Sequence, residues 1–307
     1  MGWWVMGAIA CVVGTYLSYL AARKVIRQVV RVLTPVDPPR LLDAFYRYRS
    51  RRGPKLVAIG GGTGLSTLLR GLKRYSDNIT AIVAMADNGG SSGKLREEMG
   101  VLPPGDIRNC LTALAGEEEL LTALFNHRFT HGTSLFGHSF GNLFLTAMAE
   151  VTGDFEQAVQ ASSRVLAVRG QVLPATLTPI ELVATLDDGT EIHGESQISK
   201  SKRRISDIRV EPSAPQATPD AVKAIQDADV IIIGPGSLYT SLAPNLLIPE
   251  LREALHASQA PKIYICNVMT QPGETDGFTA SDHAKALRKV AGDDAFDWIL
   301  VNQDPPE

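Results

Sequence analysis

From Lys55 onward the chain alternates short apolar runs with glycine-rich turns and helical stretches. LVAIGG (56–61) is an apolar run ending in glycines, after which Leu65, Leu68, Leu69 and Leu72 recur at helical spacing. ITAIVAMAD (79–87) is a second apolar run, and it ends on a carboxylate. Strand, glycine turn, helix and strand in that order open a doubly wound, mainly parallel α/β sheet. Leu- and Ala-rich helical stretches are predicted at about 105–126 and 139–150. ELVATLDDGTEIHGES (181–196) alternates instead, with Asp188-Gly189 between its arms, which predicts an antiparallel hairpin inserted into the fold. A helix resumes at 221–228, and DVIIIGPGSLYTSL (229–242) is another buried strand running into a glycine turn. KIYICNVMT (262–270) and DWILVN (297–302) supply two more strands, with helices near 246–257 and 282–291.

The first residues follow a different rule. Trp3 to Ala22 is an uncharged stretch with aromatic residues toward both ends, followed at once by Arg23, Lys24, Arg27 and Arg31. About 20 apolar residues in a helix span a bilayer core, and positive charge on the C-terminal flank places that side in the cytoplasm. The expectation is a transmembrane anchor over 1–22 rather than a cleaved signal peptide, whose charges would precede the apolar run. Nine Lys or Arg residues against only Asp37 and Asp43 make 23–54 a basic juxtamembrane connector, or a solvated linker. The α/β domain then occupies 55–307. It stops directly after a strand, where a further crossover is expected, so it reads as truncated at the C-terminus.

Composition changes this picture little. With 44% apolar and 21% charged residues among 307, the chain is of globular type. A net charge of -3 gives no reason to expect nucleic acid as a partner. Cys11, Cys110 and Cys266 have no CxxC spacing, so neither a zinc site nor a disulfide framework is drawn from them.

The chemistry gathers where strands end. Gly60-Gly61-Gly62-Thr63-Gly64 follows a buried strand and precedes a helix near Leu65, which suits a backbone cradle for phosphate. The third glycine of a dinucleotide fingerprint would fall on Leu65, and no Gly-Lys-Ser/Thr follows, so neither an NAD(P)-type fingerprint nor a P-loop is present. Asp87 and Asn88 stand at the end of the second strand, and Asp87 suits a ribose hydroxyl or Mg²⁺. Asp106 has helix-capping chemistry, and Arg108 suits a phosphate clamp. Asn142, opening a later helix beside His138, faces the same edge. Gly234, Gly236 and Ser237, then Asn267, Thr270 and Gln271, repeat the theme of a strand running into a polar turn. The bland alternatives are a tight turn at 60–64 and a solvated loop after Asp87.

GGGTGLSTLLRGLK, ADNGGSSGKLR, PPGDIRNCLTAL, GNLFL, GPGSLYTSLAPNLL and CNVMTQPGETDGFTASDH, in this order, resemble the gluconeogenesis factor family. That family lies in the superfamily of 2-phospho-L-lactate transferase, and the resemblance covers about 55–303. It implies a Rossmann-like domain that binds a nucleotide-sugar, UDP-N-acetylglucosamine in the bacterial shape-control members. It also implies a regulator of cell morphogenesis and wall synthesis rather than a catalyst, with cell-wall synthesis proteins and further copies in a homo-oligomer as partners. The transferase branch instead joins phospholactate to a deazaflavin with Mg²⁺, and Asp87 matches its acidic position. Asn88 replaces the second Asp of many relatives, and PPGDIRN departs from the transferase segment, which favours the binding branch.

Overall fold

A computed structural model describes residues 53–116, 119–201 and 203–303. The anchor and nearly all of the connector expected before residue 55 lie outside these residues. Among the described residues no helix is long and apolar enough to cross a membrane.

The strands β1 (Leu56–Gly60), β2 (Ile79–Val83), β3 (Gln171–Pro174), β7 (Val230–Ile233), β8 (Lys262–Ile265) and β9 (Trp298–Leu300) form one sheet in the order β3-β2-β1-β7-β8-β9. Every pairing in it is parallel. The chain winds outward from β1 to β3, then returns to β7 on the other side of β1. The direction of winding therefore reverses between β1 and β7, and a crevice opens beyond their carboxyl ends.

Alternation along β1 explains the two layers. Val57 and Ile59 join one buried cluster with Ile231 and Ile233, whereas Leu56 and Ala58 join the other with Ile79 and Ala81. Helix α1 (Gly62–Leu72) lays Leu65 and Leu69, both fully buried, on the second face. Each such side chain contributes about 1.5–3 kcal/mol through the area it removes from water. Helices α2 (Gly90–Met99), α3 (Gly105–Leu114), α4 (Glu119–Asn126), α5 (Phe140–Thr152) and α6 (Phe155–Val165) follow before β3. The single helical stretch expected over 105–126 is thus two, because Ala115 takes an extended conformation (φ -55°, ψ 151°).

The inserted hairpin is present and larger than expected. β4 (Glu181–Leu186) and β5 (Glu191–His193) pair antiparallel, and β6 (Ile205–Glu211) adds to the other side of β4. Leu182, Ala184, Ile208 and Val210 pack in the same cluster as Val57 and Ile231, so this small sheet shares the core. Helix α7 (Pro219–Gln226) leads into β7. After β7 come a π-helical turn (Leu238–Leu242), one α-turn (Ala243–Leu246) and α8 (Pro249–Ala257), with α9 (Ala280–Ala291) between β8 and β9. Pro249 lacks an N–H and restarts the helix, which is why the helix predicted from 246 begins later.

Candidate functional site

A cavity of about 260 Å³ lies at this crevice, lined by Gly61, Gly62, Thr63, Gly64, Asp87, Gly236 and Ser237 from the expected set. Ala84, Asp106, Glu195, Thr240 and Ser241 complete it.

Its floor is the start of α1. The helix begins at Gly62 rather than near Leu65, with Gly61 as an N-cap that offers no side chain. Gly62 has φ +46°, and a Cβ on it would lie 2.8 Å from Asp106 Oδ1. Gly64 meets the second wall, since a Cβ there would lie 2.5 Å from the carbonyl oxygen of Pro235. Both positions require glycine, one for conformation and contact, the other for contact alone. Asp106 is not the cap of its own helix, whose N-cap is Pro104. Its carboxylate instead accepts a hydrogen bond from the Gly62 backbone, satisfying one of the free donors at the start of α1.

The cavity therefore presents carboxylates beside glycine amides. Burial, then the charges of Asp87 and Glu195, push the Asp106 carboxyl up to about 7. Burial, then Asp87 and Glu274, push Glu195 up to about 7 as well. Asp87 Oδ1 accepts from Gly89 N at 2.8 Å, which fixes the side chain at the head of α2. Among the described residues, no group of three or more His, Cys, Asp or Glu side chains is arranged to hold a metal ion.

The opposite wall is held by a polar relay. Asn267 grips Gly236 at both ends, Nδ2 donating to its carbonyl at 2.9 Å and Oδ1 accepting from its N–H at 3.2 Å. Ser237 Oγ donates to Gln271 Oε1 at 2.6 Å, and Gln271 Nε2 donates to Glu274 Oε1 at 3.0 Å. Glu274, 2% exposed, also accepts from Thr240 Oγ1 at 2.8 Å and from Tyr239 N at 3.3 Å. Glu274 and Tyr239 also line a larger cleft of about 860 Å³ bounded by β6 and α9, in which Lys289 pairs with Asp207 at 3.2 Å and Lys285 with Asp282 at 3.8 Å.

Several expected residues stand behind the cavity rather than in it. Gly60 ends β1, and its carbonyl accepts from Ala84 N and from Asn245 Nδ2. Asn88 Oδ1 accepts from Ser196 N at 2.9 Å, pegging the one-turn helix (Glu195–Ile198) that carries Glu195. Gly234 turns the chain out of β7 at φ +82°. Thr270 is exposed, and neither it nor Asn267 and Gln271 reaches the lining. Asn142 is buried in the first turn of α5, with its Oδ1 unpartnered. Arg108 is buried on α3 beside Asp106, also outside the lining. His138 is structural, its Nδ1 3.0 Å from Ser91 Oγ. Ala84, Asp106 (expected only as a helix cap), Glu195, Thr240, Ser241 and the wall residue Glu274 were absent from the expected set.

Residues 56–307 match the family described as 2-phospho-L-lactate transferase CofD. The chain belongs to that family. Within it, a Nostoc sp. protein named "Putative gluconeogenesis factor" is 57% identical over 305 residues, covering 99% of this chain and 67% of the relative. The Bacillus subtilis protein named gluconeogenesis factor is 53% identical over 251 residues, 82% of this chain and 79% of its own length. The X-ray structure of protein BH3568 from Bacillus halodurans superimposes with a TM-score of 0.81 at 52% identity, over 83% of this chain and 82% of that one. The resemblance read from the motifs is therefore that of a true family member.

Proposed function

We propose that this crevice binds a nucleotide-sugar of the UDP-N-acetylglucosamine type, and that binding, not turnover, is its task. The observation that carries this is the junction of two glycine loops, Gly61–Gly64 and Gly236–Ser237, in one cavity at the point where the sheet reverses. Backbone amides at the start of α1 suit a diphosphate, and hydroxyls of Ser237, Thr240 and Ser241 suit a sugar or ribose. Asp87 and Asp106 are carboxylates of the number that a Mg²⁺ ion shared with ligand phosphates uses, and such an ion would offset their charge against the diphosphate. On this reading the protein is a membrane-anchored regulator facing the cytoplasm, supporting cell morphogenesis through wall-synthesis partners and as a homo-oligomer. Titration calorimetry with UDP-N-acetylglucosamine, with and without Mg²⁺, tests it. Saturable heat is expected, and folded protein that gives none for any uridine diphosphate sugar defeats it.

A second reading has its own observation. Asp106 and Glu195, both raised to about 7, could take or release a proton near neutral pH beside the ligand. That suits a phosphotransferase of the 2-phospho-L-lactate transferase type. Product formation with a deazaflavin acceptor, lost in Asp87→Ala, supports it; failure across several nucleotide-activated donors leaves binding alone.

A further inference from the structure

Two arginines outside the cavity form no ion pair among the described residues. Arg108 is only 9% exposed, its Nη2 donates to Asn109 Oδ1 at 2.6 Å, and its buried Nε has no hydrogen-bond partner. Arg128 is exposed, and its Nη1 donates to the carbonyl of Gly137. Among the described residues no carboxylate lies within 4.0 Å of either guanidinium. Burial and then the charge of Arg128 lower the Arg108 pKa, against weaker opposing effects of Asp106 and Asp87.

Both residues flank one helix start. The Arg128 backbone bridges antiparallel to Ser139, the residue whose hydroxyl caps α5. The Arg108 stem packs on Gly141 in the first turn of α5, its Cδ 2.7 Å from where a Cβ would stand. That turn holds no acidic residue. A buried guanidinium with an unpartnered Nε, packed against the positive end of a helix, is a costly arrangement unless an anion completes it.

We propose that Arg108, Arg128 and the first turn of α5 form a second anion site, distinct from the glycine cradle, that takes a phosphate group in preference to a carboxylate. Two guanidinium groups match the two charges and multiple acceptor oxygens of a phosphate better than one carboxylate does. A UDP-sugar held in the cradle has no further phosphate, so the site serves a separate phosphorylated small molecule or free phosphate. The inference stands whether or not the cradle binds a nucleotide.

The test is calorimetry of the full chain with inorganic phosphate, then acetate, for the parent protein, Arg128→Ala and Arg128→Lys. Arg128 is exposed, so both variants should keep the parent's melting temperature. Phosphate should bind the parent, roughly tenfold or more weaker in Arg128→Ala, with partial recovery in Arg128→Lys. Saturating UDP-N-acetylglucosamine should leave phosphate binding in place. The proposal is overturned by equal phosphate affinity in parent and Arg128→Ala, by no binding at millimolar phosphate, or by acetate binding as tightly as phosphate. Displacement of phosphate by the nucleotide-sugar would place the anion in the cradle and overturn it too.

Discussion

Asn267 holds Gly236 by both of its backbone groups, donating to the carbonyl at 2.9 Å and accepting from the N–H at 3.2 Å. One carboxamide from the end of β8 thus sets the shape of the loop after β7, and with it the wall that carries Ser237. Asn267→Ala removes both bonds and should cost about 1–3 kcal/mol in urea unfolding. It should also weaken nucleotide-sugar binding by more than that loss of stability explains, since the loop would no longer be held for the ligand. Asn267→Asp should be no better, because its second oxygen would face the Gly236 carbonyl. Binding unchanged in Asn267→Ala would show that the loop is fixed by other means.

Glycines within one helix should respond in opposite ways. Gly64→Ala drives a methyl to 2.5 Å from a backbone oxygen of Pro235, so either α1 or the opposing loop must move. A loss of about 1–3 kcal/mol and of ligand binding is expected. Gly71, later in α1, has nothing within 4 Å of an added Cβ, and Gly71→Ala should stabilise by about 0.5–1 kcal/mol with binding intact. Thermal melts paired with calorimetry check both; similar losses in the two variants would contradict the wall-to-wall contact.

The sheet was legible because its signals are local. Apolar runs ending in glycine marked β1 and β7, and Asp188-Gly189 marked the β4–β5 turn. β3, β6 and α2 were not legible for reasons visible in their residues. Gln171–Pro174 is a four-residue edge strand ending in proline, and Ile205–Glu211 carries three charges among seven residues. Gly90–Met99 opens Gly-Ser-Ser-Gly, which reads as loop until Gly89 and Gly100 are seen capping it. In the site, glycine loops announce themselves, whereas Glu195 enters from the inserted sheet, more than a hundred residues after Asp87. Asn88 also pegs that same insert, a role that only the long-range contact with Ser196 reveals.

The raised carboxyls predict an unusual dependence on pH. Asp106 moves from an ordinary value of 3.8 to about 7, so the native state holds a proton that the unfolded chain has released between those values. Stability linked to Asp106 is therefore fully present below about pH 4 and is lost as pH rises through about 7. Asp106→Asn can still accept from the Gly62 N–H and carries no charge. Relative to the parent it should gain on the order of 3–4 kcal/mol at pH 8 and little at pH 4. Urea midpoints across this range check the sign; a gain that is largest in acid would contradict it. Glu195→Gln should move the same way and by less, because its carboxyl rises to about 7 from a higher ordinary value of 4.5.

The placement of the ligand is the centre of the account, and a crystal structure with UDP-N-acetylglucosamine and Mg²⁺ tests it most directly. The diphosphate should lie against the amides at the start of α1 that Asp106 leaves free, with Ser237 and Asp87 within hydrogen-bonding or metal-bridged reach. A ligand seated instead in the larger cleft between β6 and α9, with the 260 Å³ cavity left to solvent, would contradict it.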